Sequence, residues 1–258
     1  MSALQLTISA ECNCTGTNIF KSNTNSFNIG KNFPFAIKHD LTVCDNHVKF
    51  EYISEKWHMS DVSTYGTFTR LIPACPVFVK YGIYIVCGKT WICTNIPDCI
   101  DVINEKFEII SRFKPEMNVE YTIGRSEMDS IVIKDDTSMS QFHAKLTFND
   151  KGVMVTDWKD GQGSTNGTFI SLTNKEITDP CILRIGLETF CKVEVISASQ
   201  YMAQPPVNSL PVNMQYPQQN VQEASPEVTG HIFTNTLRGN VAPTQKIITK
   251  GYEIPTNK

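Results

Sequence analysis

Three short stretches hold the residues best suited to chemistry: Gly124-Arg125, Ser140-Gln141-Phe142-His143 and Ser164-Thr165-Asn166-Gly167. Together they offer one guanidinium, several hydroxyls and two side-chain amides, with few carboxyl groups close by in sequence apart from Asp135 and Asp136. That set of donors suits an anion. A guanidinium presents parallel N–H groups that meet two oxygens of one phosphate, and hydroxyls add further donors. Catalysis is a poor fit. Ser140 and His143 stand three apart with the histidine heading a strand-like run, so their side chains face different ways, and no orienting acid or oxyanion hole is legible. No phosphate-cradling G-x-x-x-x-G-K-[ST] loop is present either. The reading is a binding site with no catalytic residue and no cofactor.

Each stretch sits at the end of a run with strand character. Tyr121-Thr122-Ile123 leads into Gly124-Arg125, the polar turn Asp135 to Ser138 precedes Ser140, and Thr168-Phe169-Ile170 follows Gly167. If these strands pair, the three loops converge at one end of a β structure around a small concave patch.

The pattern resembles the forkhead-associated (FHA) domain family: Gly-Arg, then Ser-x-x-His about fifteen residues later, then Ser/Thr-x-Asn-Gly. The resemblance covers about residues 98 to 197. It implies a two-sheet β-sandwich whose loops bind phosphothreonine peptides. By position, it makes Arg125 and Ser140 the phosphate ligands with Thr165 beside them. Asn166 holds the peptide backbone, Gln141 touches it, and His143, Gly124 and Gly167 support the loops. The family often carries Arg or Lys directly after the loop serine. Gln141 stands there, so the phosphate lacks a second cation and modest affinity is expected.

The same signals occur earlier in the chain. Phe27-Asn28-Ile29-Gly30-Lys31 parallels Tyr121 to Arg125; Val43 to Phe50 parallels Met139 to Leu146; and Ser63 to Phe68 parallels Ser164 to Phe169. Ile83 to Gly88 then parallels Cys181 to Gly186, and the paired glycines are offset by 94, 101 and 98 residues, a single period with loop-length changes. Trp57 and Trp158 are read as equivalent packing residues. The expected fold is therefore all-β, with two tandem FHA-like sandwiches over residues 1–97 and 98–199. In the first copy Lys31, Cys44 and Tyr65 replace the arginine, serine and asparagine. Lysine has no bidentate fork and a thiol is a weak donor, so this copy is expected to keep the fold without the phosphate site.

Composition narrows the class further. The 258 residues carry a net charge of −3 with no basic block, so no nucleic-acid surface is indicated. No apolar run reaches the length of a membrane helix, and no secretory leader is legible. An intracellular protein of the cytoplasm or nucleus, without a membrane partner, is expected. Nine cysteines are scattered without a C-x-x-C pair, which points to reduced thiols, most of them buried, and to no metal site. Residues 200–258 begin with a Pro/Gln-rich stretch and are read as a disordered tail, with β-prone segments His231 to Arg238 and Lys246 to Pro255 as a linear docking motif. The function that follows is a phosphothreonine-peptide-binding adaptor acting through the second copy, with the first copy and tail structural or protein-binding. The alternative is a scaffold subunit using its sandwich surfaces and tail independently of phosphate.

Overall fold

The computed structural model describes residues 2–200, apart from 9–15, 22–23, 33, 36, 38, 97–98, 159–161 and 198. The expected tail, Cys12 and Cys14 lie outside the described residues. The fold is all-β, with strands numbered β1 to β19 in chain order, and the chain divides into two compact units.

Among the described residues, one unit is built from those up to Thr67 and from those between Thr173 and Gln200. Its first segment holds β1 (Ser2–Ile8), β2 (Gly16–Lys21), β3 (Ser26–Ile29), β4 (Val48–Ile53) and β5 (Lys56–Asp61). Its second segment holds β17 (Asn174–Glu176), β18 (Cys181–Ile185) and β19 (Thr189–Ser197). The strands run in the orders β18-β19-β1-β2 and β17-β5-β4-β3. Alternation dictates the inward face, as a pleated strand requires: Leu4 and Leu6 of β1, Val48 and Phe50 of β4, and Trp57 and Met59 of β5 are all buried. Phe27 stacks on Phe50 at 5.3 Å and meets the edge of Trp57 at 6.0 Å.

The other unit holds the described residues Phe68–Leu172. It comprises β6 (Thr67–Arg70), β7 (Val77–Lys80), β8 (Tyr84–Cys87), β9 (Thr90–Ile96), β10 (Cys99–Ile103), β11 (Ile109–Phe113), β12 (Glu120–Gly124), β13 (Ile131–Val132), β14 (Ala144–Asn149), β15 (Gly152–Asp157) and β16 (Thr168–Ser171). One sheet runs β11-β10-β9-β8-β16-β6 and the facing one β13-β12-β14-β15-β7. Ile85, Ile92 and Val102 of the first share a core with Leu146, Phe148, Val153 and Val155 of the second. All ladders are antiparallel except β12 with β13.

This division is not the contiguous cut at residue 97 read from the sequence. Strands β7, β8 and β9 close the unit that contains Arg125: β8 pairs with β16, β9 with β10, and β7 with β15. Strands β17, β18 and β19, which follow the site in sequence, complete the unit that contains Lys31, with β19 on β1 and β17 on β5. The physical reason is that the two closing hairpins look alike. Each alternates apolar residues around a Gly turn and starts its second strand with a threonine, Gly88 before Thr90 and Gly186 before Thr189. Sequence pattern alone cannot assign either hairpin to a sandwich.

Candidate functional site

The ends of β12 and β14 and the start of β16 bring the three sequence stretches together. Arg125, Thr137, Ser138, Met139, Ser140, Gln141, Thr165 and Asn166 line one cavity of about 320 Å³. All five residues expected to touch a ligand are among them.

Backbone bonds build the frame first. The His143 N–H donates to the Ile123 carbonyl at 2.9 Å, the Arg125 N–H to the Ser140 carbonyl at 3.1 Å, and the Ser126 N–H to the Gln141 carbonyl at 3.1 Å. The Gly124 backbone lies so close to this loop that a Cβ there would sit 2.0 Å from the Gln141 carbonyl oxygen. Only glycine permits that approach.

His143 is fully buried and joins two loops. Its Nδ1 accepts the Ser140 N–H at 3.0 Å, so Nε2 carries the proton and donates to the Gly167 carbonyl at 3.1 Å. Burial pushes its pKa below the ordinary histidine value, against the weaker upward pull of the Gly167 carbonyl and of Asp157 and Asp136, and the neutral ring is the form this pair of bonds needs. Gly167 itself has φ +82°, and a Cβ there would lie 2.2 Å from Nε of Arg70.

The ligand-facing side chains are anchored on one side and open on the other. Arg125 Nε donates to the Met139 carbonyl at 2.6 Å, which leaves the terminal amino groups of an exposed guanidinium for a ligand. Ser140 is 6% exposed; its Oγ accepts the Thr165 N–H at 3.0 Å and donates to Thr165 Oγ1 at 3.3 Å, a long bond that the hydroxyl can exchange for an incoming oxygen. Asn166 Nδ2 donates to the Ser138 carbonyl at 2.6 Å and keeps its amide oxygen and second N–H. Gln141 is exposed on the rim. The cluster can thus present a charged fork, a hydroxyl and an amide to one anionic group on a peptide.

Two aspartates to which the sequence reading gave no structural role hold this arrangement. Asp157, fully buried, accepts the Ser164 N–H at 3.2 Å and the Thr168 hydroxyl at 2.8 Å. Asp136 is not a solvent-facing neighbour of the anion site: it is buried and takes the Ser138 N–H at 3.0 Å on Oδ1. On Oδ2 it takes the Lys89 N–H at 2.7 Å and the Thr90 hydroxyl at 2.9 Å. The repeat carried the signal for both aspartates, since Asp61 and Asp40 stand at the matching places.

The other unit shows the same frame with different ligands. His47 Nδ1 accepts the Cys44 N–H at 3.1 Å and its Nε2 meets the Gly66 carbonyl at 3.0 Å; burial pushes this pKa below the ordinary value too. Asp61 accepts the Ser63 N–H and the Thr67 hydroxyl, as Asp157 does for Ser164 and Thr168. Lys31 N–H bonds the Cys44 carbonyl at 2.9 Å. The two tryptophans are not equivalent. Trp57 lies in the core on β5, whereas Trp158 follows β15, bonds the His143 carbonyl through its N–H as Val62 bonds His47, and packs on Phe142 with Lys145 over its ring.

Of the seven described cysteines, none in a disulfide, Cys87, Cys93 and Cys191 are buried, Cys44, Cys99 and Cys181 half-buried, and Cys75 exposed. The expectation that most are buried therefore holds for three. No helix among the described residues is long and apolar enough to cross a membrane.

Loops at one end of a β-sandwich thus hold a buried histidine beneath an arginine, a serine and an asparagine that line one cavity. The FHA domain family model matches residues 121–188, so this part of the chain is similar to forkhead-associated domains, a family of phosphothreonine-binding protein-interaction modules. The match contains every predicted site residue and runs past Leu172 into β17 and β18. No curated protein matches the chain.

Proposed function

We propose that this protein is an adaptor that binds a phosphothreonine-containing partner through Arg125, Ser140, Thr165, Asn166 and the rim residue Gln141. The observation that carries the reading is the pairing of an anchored but open guanidinium with the Ser140 hydroxyl in one cavity. A phosphothreonine brings close to two negative charges and three acceptor oxygens. Arg125 meets two oxygens, Ser140 donates to a third, and Asn166 pairs with the peptide backbone. The chain is a tandem of FHA-like sandwiches in which the unit with Lys31, Cys44 and Tyr65 keeps the frame and has lost the ligands. That unit serves as a structural or protein-binding partner.

The test is binding of the full chain to a degenerate phosphothreonine peptide library, with the unphosphorylated library and Arg125→Ala as controls. Charge-assisted bonds contribute about 1.5 to 3 kcal/mol each, so Arg125→Ala should weaken phosphate-dependent binding about tenfold to more than a hundredfold. Equal binding to both libraries, or none to either, would shift the reading to a phosphate-independent scaffold.

A further inference from the structure

The phosphate loop is held in place from a distant part of the sequence. The turn between β8 and β9 brings the Lys89 N–H and the Thr90 hydroxyl onto Oδ2 of Asp136, while Oδ1 of the same carboxyl takes both the N–H and the hydroxyl of Ser138. The Met139 N–H closes back on the Asp136 carbonyl at 3.0 Å. From this node the two anchoring carbonyls emerge: that of Ser138 receives Asn166, and that of Met139 receives Arg125. Thr90 is 2% exposed and Asp136 8%, so water does not readily replace a lost bond there.

The other unit repeats the device. Asp40 takes the Thr42 N–H at 3.0 Å on Oδ1, and the Glu188 N–H at 2.7 Å and the Thr189 hydroxyl at 3.2 Å on Oδ2. Each hairpin thus latches an aspartate belonging to the other half of the sequence repeat.

We propose that Thr90 is a positioning residue for phosphopeptide binding: through Asp136 it fixes the loop whose carbonyls aim Arg125 and Asn166. The half of the sequence that lacks the phosphate ligands is thereby part of the phosphate site, because it supplies the hairpin that completes it. The inference rests on the phosphopeptide reading above for its ligand, and on the hydrogen bonds alone for its loop.

The experiment uses the full chain with Thr90→Val, Thr90→Ser and Thr189→Val, each measured twice. The first measurement is titration with a phosphothreonine peptide drawn from the library. The second is amide hydrogen exchange over residues 137–140 without peptide. Thr90→Val should weaken binding about three- to tenfold and speed exchange at Ser138 and Met139. Thr90→Ser, which keeps the hydroxyl, should retain both properties. Thr189→Val should leave both untouched and speed exchange at Thr42 instead. Three results overturn the proposal: no effect of Thr90→Val, an equal effect of the two valine variants, or the reverse pattern with Thr189 governing residues 137–140. The last would mean that the hairpin of β18, which the family match reaches, and β19 closes the site. If the unsubstituted chain binds no phosphopeptide, the reading of the ligand falls, and the exchange data still decide whether Thr90 fixes the loop.

Discussion

The loop cluster around His143 and the one around His47 share a frame and differ in what they face outward. In both, a buried histidine takes an N–H from the residue three before it and meets the carbonyl of a turn glycine. In both, an aspartate ties down the following turn through a backbone N–H and a threonine hydroxyl. Yet Arg125, Ser140, Gln141 and Asn166 correspond to Lys31, Cys44, Asp45 and Tyr65. An acid thus replaces a neutral amide beside a point charge that replaces a fork, and Asp45 is already engaged by Asn32 at 3.2 Å. The comparison teaches that inward hydrogen bonds specify the loop conformation while outward side chains specify the ligand. The two can be lost separately because burying an unsatisfied donor costs stability, and changing an exposed one such as Arg125, Gln141 or Asn166 does not.

The largest expected effect breaks the frame in each unit. His143→Ala removes a buried acceptor and a buried donor; it should cost about 2 to 4 kcal/mol in chemical denaturation and abolish measurable phosphopeptide binding. His47→Ala should destabilise by a similar amount in the same experiment. It should leave affinity unchanged where the protein remains folded, and a matched loss of affinity would mean that the two clusters are not functionally distinct.

A smaller effect comes from writing the ligands back. Lys31→Arg, Cys44→Ser and Tyr65→Asn together, in an Arg125→Ala background, should restore phosphate-dependent binding weaker than that of the natural site, read by fluorescence polarisation. Asp45 brings a like charge beside the incoming phosphate, and such a pair costs about 1 kcal/mol at 4 Å in water, so Asp45→Gln should improve the restored site further. Failure to regain any phosphate dependence would show that the frames differ more than their hydrogen bonds do.

The smallest effect is in pH. Both histidines are held neutral by burial, with pKa values below the ordinary 6.5. Their contribution to stability is therefore complete above about pH 6.5, where the unfolded chain is also neutral. It is lost as the pH falls from there toward the folded values, because the unfolded state then binds protons that the folded state refuses. Unfolding free energy should decline on acidification, by at most about 1.4 kcal/mol per pH unit for each histidine. His143→Ala should reduce that slope by one histidine's share, and an unchanged slope would contradict the neutral assignment.

Much of this was legible in the chain. Gly124, Arg125, Ser140, His143, Thr165, Asn166 and Gly167 could be placed together because the strands before and after them alternate plainly, as in Leu146, Phe148, Val153 and Val155. The supporting aspartates were harder to read. Asp136 looks like a solvated turn residue in Asp135-Asp136-Thr137-Ser138, and only its distant partners Lys89 and Thr90 make it structural. Strand membership was not legible at all. Two hairpins of the same period and the same glycine-turn-threonine pattern satisfy either aspartate equally well on paper, so long-range pairing decides what local pattern cannot. Trp158 shows the same limit on a small scale, since its resemblance to Trp57 dissolves once hydrogen-bond register places it opposite His143.

The contrast between the two loop clusters is tested most directly by titrating the full chain calorimetrically with a phosphothreonine peptide selected from the library, alongside Arg125→Ala and Lys31→Ala. One peptide bound per chain, lost with Arg125→Ala and unaffected by Lys31→Ala, is the result expected. Two peptides per chain, loss of binding with Lys31→Ala, or full binding by Arg125→Ala would contradict it.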